Sequence, residues 1–137
     1  MTAAARPSLL PSWLEEHCVH LNEPNSTISN LNLNIRRFNP EMMQALAKAL
    51  SENTRIQIIN MTSALSSLSG NNNNNPTTNN SNSNHPDAIL LPLSYVLYYH
   101  ASLETVHLSY NQLEDASSIG AVLQTNTTLV ELYLDYN

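Results

Sequence analysis

The pattern L-x-x-L-x-L-x-x-N occurs twice near the end of this 137-residue chain, and no other feature restricts the fold so strongly. The first copy is Leu103, Val106, Leu108 and Asn111; the second is Leu129, Leu132, Leu134 and Asn137, 26 residues later. An apolar pattern at such a period marks one strand-plus-helix unit used repeatedly. A single unit cannot bury its own apolar side chains, so the units must stack on one another. Side chains alternate along a strand, so the pattern residues point inward and those between them point outward.

The pattern extends backwards. Ile28, Leu31, Leu33 and Phe38 fill the apolar positions of one copy; Ile56, Ile59 and Met61 fill the next, 28 residues on. Arg36 and Ala64 stand where the later copies have asparagine, so these two turns lack its side-chain amide. Asn39-Pro40-Glu41 starts a helix, with asparagine as cap and proline in the first turn. In the MMQALAKAL that follows, Met43, Leu46, Ala47 and Leu50 share one face. In the last full unit Asp115 caps, and Ala116, Ile119, Gly120 and Leu123 form the matching face. Ala47, Ser94 and Gly120 fall in one slot, which implies close approach of helix to sheet. Asn53 precedes Ile56 by three residues, as Asn126 precedes Leu129.

Between Ile56 and Leu103 the spacing is 47, about one unit plus an insertion. Residues 66–86 are an Asn/Ser tract with almost no apolar side chains, which cannot offset the entropy of ordering. The reading is a disordered loop; loop closure costs only about 0.6 kcal/mol per doubling of length. Without it, Leu90, Leu93 and Leu97 take the helix positions, the helix starting at Pro86 or Asp87 with Pro92 in its first turns. Upstream, Ser12 and Glu15 have the spacing of a capping box. A short helix from residue 13 to 18 or 19 would then cover the open end of the first unit with Trp13, Leu14, Val19 and Leu21.

Composition excludes several functions. Five basic residues against eleven acidic give a net charge of −6, which opposes nucleic acid and a membrane surface as partners. Cys18 is the only cysteine, so no internal disulfide forms. No segment has the form of a signal peptide or a membrane span. The expectation is an intracellular, cytoplasmic protein.

These residues resemble the leucine-rich repeat superfamily, and the long helices and 26–28 spacing are most similar to its ribonuclease-inhibitor-type class. That class includes Ran GTPase-activating proteins and innate immune receptor repeat domains. The resemblance implies an α/β horseshoe, a solenoid with parallel strands on the concave face and helices on the convex face. The expected organisation is a disordered segment and capping helix over 1–27, then repeats over 28–137 with the insertion at 66–86. The last repeat is truncated, which reads as a fragment of a longer array; self-association through the open edge at Leu132 and Leu134 is the alternative.

Outward positions predict columns across the sheet. One holds Asn32, Asn60, His107 and Tyr133; a second Asn34, Thr62, Ser109 and Asp135; a third Asn30, Ile58, Thr105 and Glu131; a rim carries Ile35, Ser63, Tyr110 and Tyr136. Tyrosine buries much area for little entropy at interfaces. His107, Tyr110, Tyr133 and Tyr136 are therefore candidate partner contacts, with Glu131 and Asp135 favouring a basic partner and Asn32 and Asn60 completing the surface. Glu15, Glu16, His17, Cys18 and His20 are ligand-type side chains, but they lie where a capping helix packs, so no metal or other cofactor is expected. There is no P-loop, G-x-S-x-G or H-E-x-x-H, and the expectation is a non-enzymatic protein-binding scaffold. The resemblance implies an alternative, a GTPase activator using Arg36 or Arg37.

Overall fold

The computed structural model describes residues 9–65 and 86–137. Helices and strands alternate: α1 (Ser12–Leu21), β1 (Asn30–Asn32), α2 (Pro40–Ser51), β2 (Ile58–Asn60), α3 (Pro86–Tyr99), β3 (Thr105–His107), α4 (Ser117–Leu123) and β4 (Glu131–Tyr133). The strands form one parallel sheet in the order β1-β2-β3-β4. Parallel pairing follows from connectivity, since a helical crossover separates each strand from the next. Helices pack on their sequence neighbours, α1 on α2, α2 on α3 and α3 on α4.

Each strand is three residues long, with its central side chain inward. Leu31, Ile59, Val106 and Leu132 lie in one register, and the first three are buried. Residues beyond the strands continue the ladder. The amides of Leu33, Met61 and Leu108 donate to the carbonyls of Asn60, His107 and Tyr133 at 2.7, 2.9 and 2.8 Å. Two residues later each chain turns through the left-handed region at Ile35, Ser63, Tyr110 and Tyr136, with φ of 54°, 53°, 60° and 56°. Even there the amides of Ile35, Ser63 and Tyr110 donate to Thr62, Ser109 and Asp135.

Two asparagines knit the C-terminal turns together from inside. Asn111 is fully buried. Its Nδ2 donates to the carbonyls of Met61 and Leu108 at 2.9 Å each, and its Oδ1 accepts from Leu65 N–H at 2.8 Å. Asn137 donates to Leu108 and Leu134 and accepts from Asn111 and Leu113 N–H. At Ala64, where that side chain is missing, the backbone substitutes. Ala64 N–H closes the turn onto Met61, and its carbonyl accepts from Phe38 N–H at 2.9 Å.

α2 begins as its sequence predicts. Asn39 accepts from Met42 N–H, Pro40 occupies the first turn, and Met42, Met43, Leu46, Ala49 and Leu50 are buried. α1 and the rest share one core through Leu14 and Leu21, and Trp13 meets Phe38 edge to face at 5.8 Å.

Several expectations are corrected. The horseshoe solenoid gives way to a small α/β domain: one sheet of four very short strands under a single layer of four helices. The capping box does not form; Ser12 is the first helical residue, and the Pro11 carbonyl accepts from Leu14 and Glu15 instead. α1 runs on to Leu21, and its Val19 is exposed. α4 buries Ile119 and Val122, leaving Leu123 exposed and Gly120 facing open space. The small-residue slot therefore does not mark close helix-to-sheet packing; Ala47 and Ser94 border hollows between helices. Of the expected disordered stretches, residues 1–8 and 66–85 lie outside the described residues; Pro86, read both as the end of the insertion and as a possible helix start, is the buried first residue of α3.

Candidate interaction surface

The sheet face away from the helices is built by the outward strand residues. Pairing aligns Asn32, Asn60, His107 and Tyr133 in one row, and Asn30, Ile58, Thr105 and Glu131 in another. The two ends of these rows differ. Asn32 Oδ1 accepts from Asn34 N–H, Asn34 Oδ1 from Thr62 N–H, and Asn60 Oδ1 from both Thr62 N–H and its hydroxyl. The N-terminal asparagines thus hold their own turns.

At the C-terminal end the row becomes aromatic. His107 and Tyr133 stack with centroids 4.4 Å apart and planes 5° from parallel. Tyr110 and Tyr136 stack beside them at 4.4 Å and 12°. This geometry follows from register, because neighbouring strands lie about 4.8 Å apart and equivalent rings must meet face to face. Tyr133, Tyr110 and Tyr136 remain 39%, 50% and 75% exposed.

Carboxylates flank the stacks. Glu131 Oε2 accepts from Tyr133 Oη at 3.3 Å and from Thr105 Oγ1 at 3.4 Å; Asp135 Oδ2 accepts from Ser109 Oγ at 3.3 Å. The Glu131 charge raises the Tyr133 phenol above its ordinary pKa, with desolvation, the hydrogen bond the phenol donates to Glu131 and the Asp135 charge adding to it. The sequence has no lysine or arginine after Arg55, while Asp87, Glu104, Glu114, Asp115, Glu131 and Asp135 all follow it. The whole net charge of −6 therefore belongs to residues 56–137, since five basic and five acidic residues balance before them.

The structure brings His107, Tyr110, Glu131, Tyr133, Asp135 and Tyr136 together, with Asn32 and Asn60 on the far side of the same face. Ligand-type residues of α1 do not converge. His17 Nδ1 meets the Trp13 carbonyl, His20 pairs with Glu23, and the Cys18 thiol points to the Ala45 carbonyl. Burial, and then the Glu15 charge, push that thiol's pKa up. Among the described residues no three His, Cys, Asp or Glu side chains are placed to hold a metal. The Arg36 guanidinium lies 4.7 Å from the Trp13 ring centroid.

Sequence reasoning missed the helix side. Leu91, Tyr95, Tyr98 and Tyr99 of α3 are exposed and border a hollow toward α4. A second hollow, of about 340 Å³, lies between α2 and α3 and reaches His100. His100 takes the position held elsewhere by Asn53 and Asn126. Asn53 Oδ1 accepts from Arg55 and Ile56 N–H while Nδ2 donates to Leu21; Asn126 does the same with Thr128, Leu129 and Leu97. His100 Nδ1 accepts weakly from Ser102 N–H at 3.4 Å, and its buried Nε2 has no partner among the described residues. Burial lowers its pKa below the usual imidazole value. The signal was available, because His100 precedes Leu103 by three residues.

No family model matches the sequence. No curated protein matches it either. Solved structures do. One is actin-binding site 2 of leiomodin-1, at 19% identity and a TM-score of 0.66, covering 93% of this chain and 65% of that one. Another is the C-terminal domain of Caenorhabditis elegans tropomodulin, at 11% identity and a TM-score of 0.55, covering 90% of this chain and 83% of that one. This chain thus spans a little under two thirds of the leiomodin-1 chain. The assignment to ribonuclease-inhibitor-type leucine-rich repeats is corrected accordingly: the chain has the small α/β fold of the tropomodulin and leiomodin domains.

Proposed function

We propose that this chain is a non-enzymatic, intracellular protein-interaction module whose partner binds the exposed sheet face at its C-terminal end. The two ring stacks carry this reading. They present aromatic area already ordered by the strands, so little side-chain entropy is lost on binding. The solved neighbour from leiomodin-1 is an actin-binding site, which makes actin the first partner to test. The test is cosedimentation with filamentous actin and capture of monomeric actin, for the native chain and for a His107→Ala/Tyr133→Ala variant. Binding lost in the variant with unfolding unchanged supports the reading; unchanged binding places the contact elsewhere.

Activation of a small GTPase gains no support. Arg36, one of its two candidate residues, is engaged with Trp13, and neither neighbour is named for a GTPase. A second interaction has a specific observation behind it. Leu129, Leu132 and Leu134 are only half-buried, whereas their counterparts Leu103, Val106 and Leu108 are fully covered. These half-buried leucines support self-association along β4 as a second reading, checked by light scattering at increasing concentration.

A further inference from the structure

We propose that the partner presents an arginine to this face, its guanidinium stacking on Tyr133 with the carboxylates of Glu131 and Asp135 on either side; this rests on the interaction reading above. Glu131, Tyr133 and Asp135 alternate along one chain segment, so all three project to the same side. His107 covers one face of the Tyr133 ring, and among the described residues no other ring covers the second. Glu131 already sits at the phenol edge of that ring, within reach of a group lying flat on it.

Among the described residues no cation pairs with these carboxylates, and the side chains that reach them are hydroxyls: Thr105 and Tyr133 for Glu131, and Ser109 for Asp135. No lysine or arginine follows Arg55 in the sequence, and the one ion pair among the described residues, His20 with Glu23, is on and just beyond α1. A basic partner group therefore meets uncompensated negative charge beside an aromatic face. Guanidinium fits better than ammonium. It is planar and weakly hydrated, so it stacks on a ring while its edge N–H groups reach a carboxylate.

The experiment titrates three short peptides into the isotope-labelled full chain and follows ring signals of His107 and Tyr133. The peptides are Gly-Arg-Gly-Arg-Gly and its lysine and citrulline counterparts, the last keeping the shape of arginine without its charge. The arginine peptide should shift both rings and bind about fivefold more tightly than the lysine peptide, with no saturable shift from citrulline. Glu131→Gln with Asp135→Asn should weaken it about tenfold, and Glu16→Gln on α1 should leave it unchanged. Equal binding of lysine or citrulline peptide, or no shift with arginine, overturns the proposal. Actin captured natively and lost in His107→Ala/Tyr133→Ala, yet unaffected by Glu131→Gln/Asp135→Asn, overturns it while leaving the interaction reading standing.

Discussion

The two ends of the sheet use the side chains of the open face differently. At the N-terminal end, polar side chains on the open face supply the acceptors for turn amides: Asn32 for Asn34, and Asn34 and Asn60 for Thr62. At the C-terminal end the face side chains bond to one another, Thr105 and Tyr133 to Glu131 and Ser109 to Asp135, while Asn111 and Asn137 act from inside on the amides of Leu65, Asn111 and Leu113. Aromatic and acidic side chains occupy the open face there. On the proposed reading, the first end serves its own backbone and the second the partner.

Breaking the internal network should have the largest effect. Asn111→Ala leaves the buried Leu65 amide without a partner and takes one of two donors from each of the Met61 and Leu108 carbonyls, and we expect a loss of roughly 2 kcal/mol in urea unfolding. A smaller loss, about 1 kcal/mol, is expected from Asn60→Ala on the open face, where water replaces the lost acceptor. Next comes the His100 position. His100→Asn should supply the amide that Asn53 and Asn126 use, stabilising by about 1 kcal/mol. Native stability should also fall as pH drops below about 6.5. The unfolded chain takes up a proton on His100 there, while the buried imidazole resists it until its lower pKa is reached. A melting series from pH 7.5 to 5 should show this slope in the native chain and a shallower one in the asparagine variant. The smallest change is Ile35→Gly. A β-branched residue at φ 54° is strained, so relief should raise stability by up to about 1 kcal/mol. Tyr136 adopts the same conformation but owes its place to the stack with Tyr110, so Tyr136→Gly should affect binding rather than stabilise.

Much of the framework was legible because periodicity fixes which side chains go inward. Leu31, Ile59, Val106 and Leu108 are buried as the pattern requires. Equal spacing also put His107 beside Tyr133 and Tyr110 beside Tyr136 in the predicted rows. Spacing did not determine the class of fold. A period near 26 describes one strand-turn-helix step, and the same step serves a long horseshoe and a small domain of four strands. Helix faces were less legible. α4 is short, so two phases fit its sequence, and Val122 rather than Leu123 is the buried one. The capping box failed because the helix starts one residue earlier than its spacing requires: Pro11 is the cap and Ser12 the first helical residue, so the Ser12 hydroxyl does not stand in the cap position. His100 escaped notice because imidazole is not read as an asparagine substitute, although Nδ1 can accept where Oδ1 does.

The division between scaffold and binding surface is tested most directly by one paired experiment. Actin binding and urea unfolding are measured for the native chain, for Asn32→Ala/Asn60→Ala and for His107→Ala/Tyr133→Ala. The expected result is a crossed pattern: the asparagine pair loses about 1–2 kcal/mol of stability and keeps its affinity, while the aromatic pair keeps its stability and loses affinity at least tenfold. Equal loss of binding in both variants, or none in the aromatic pair, would contradict the account.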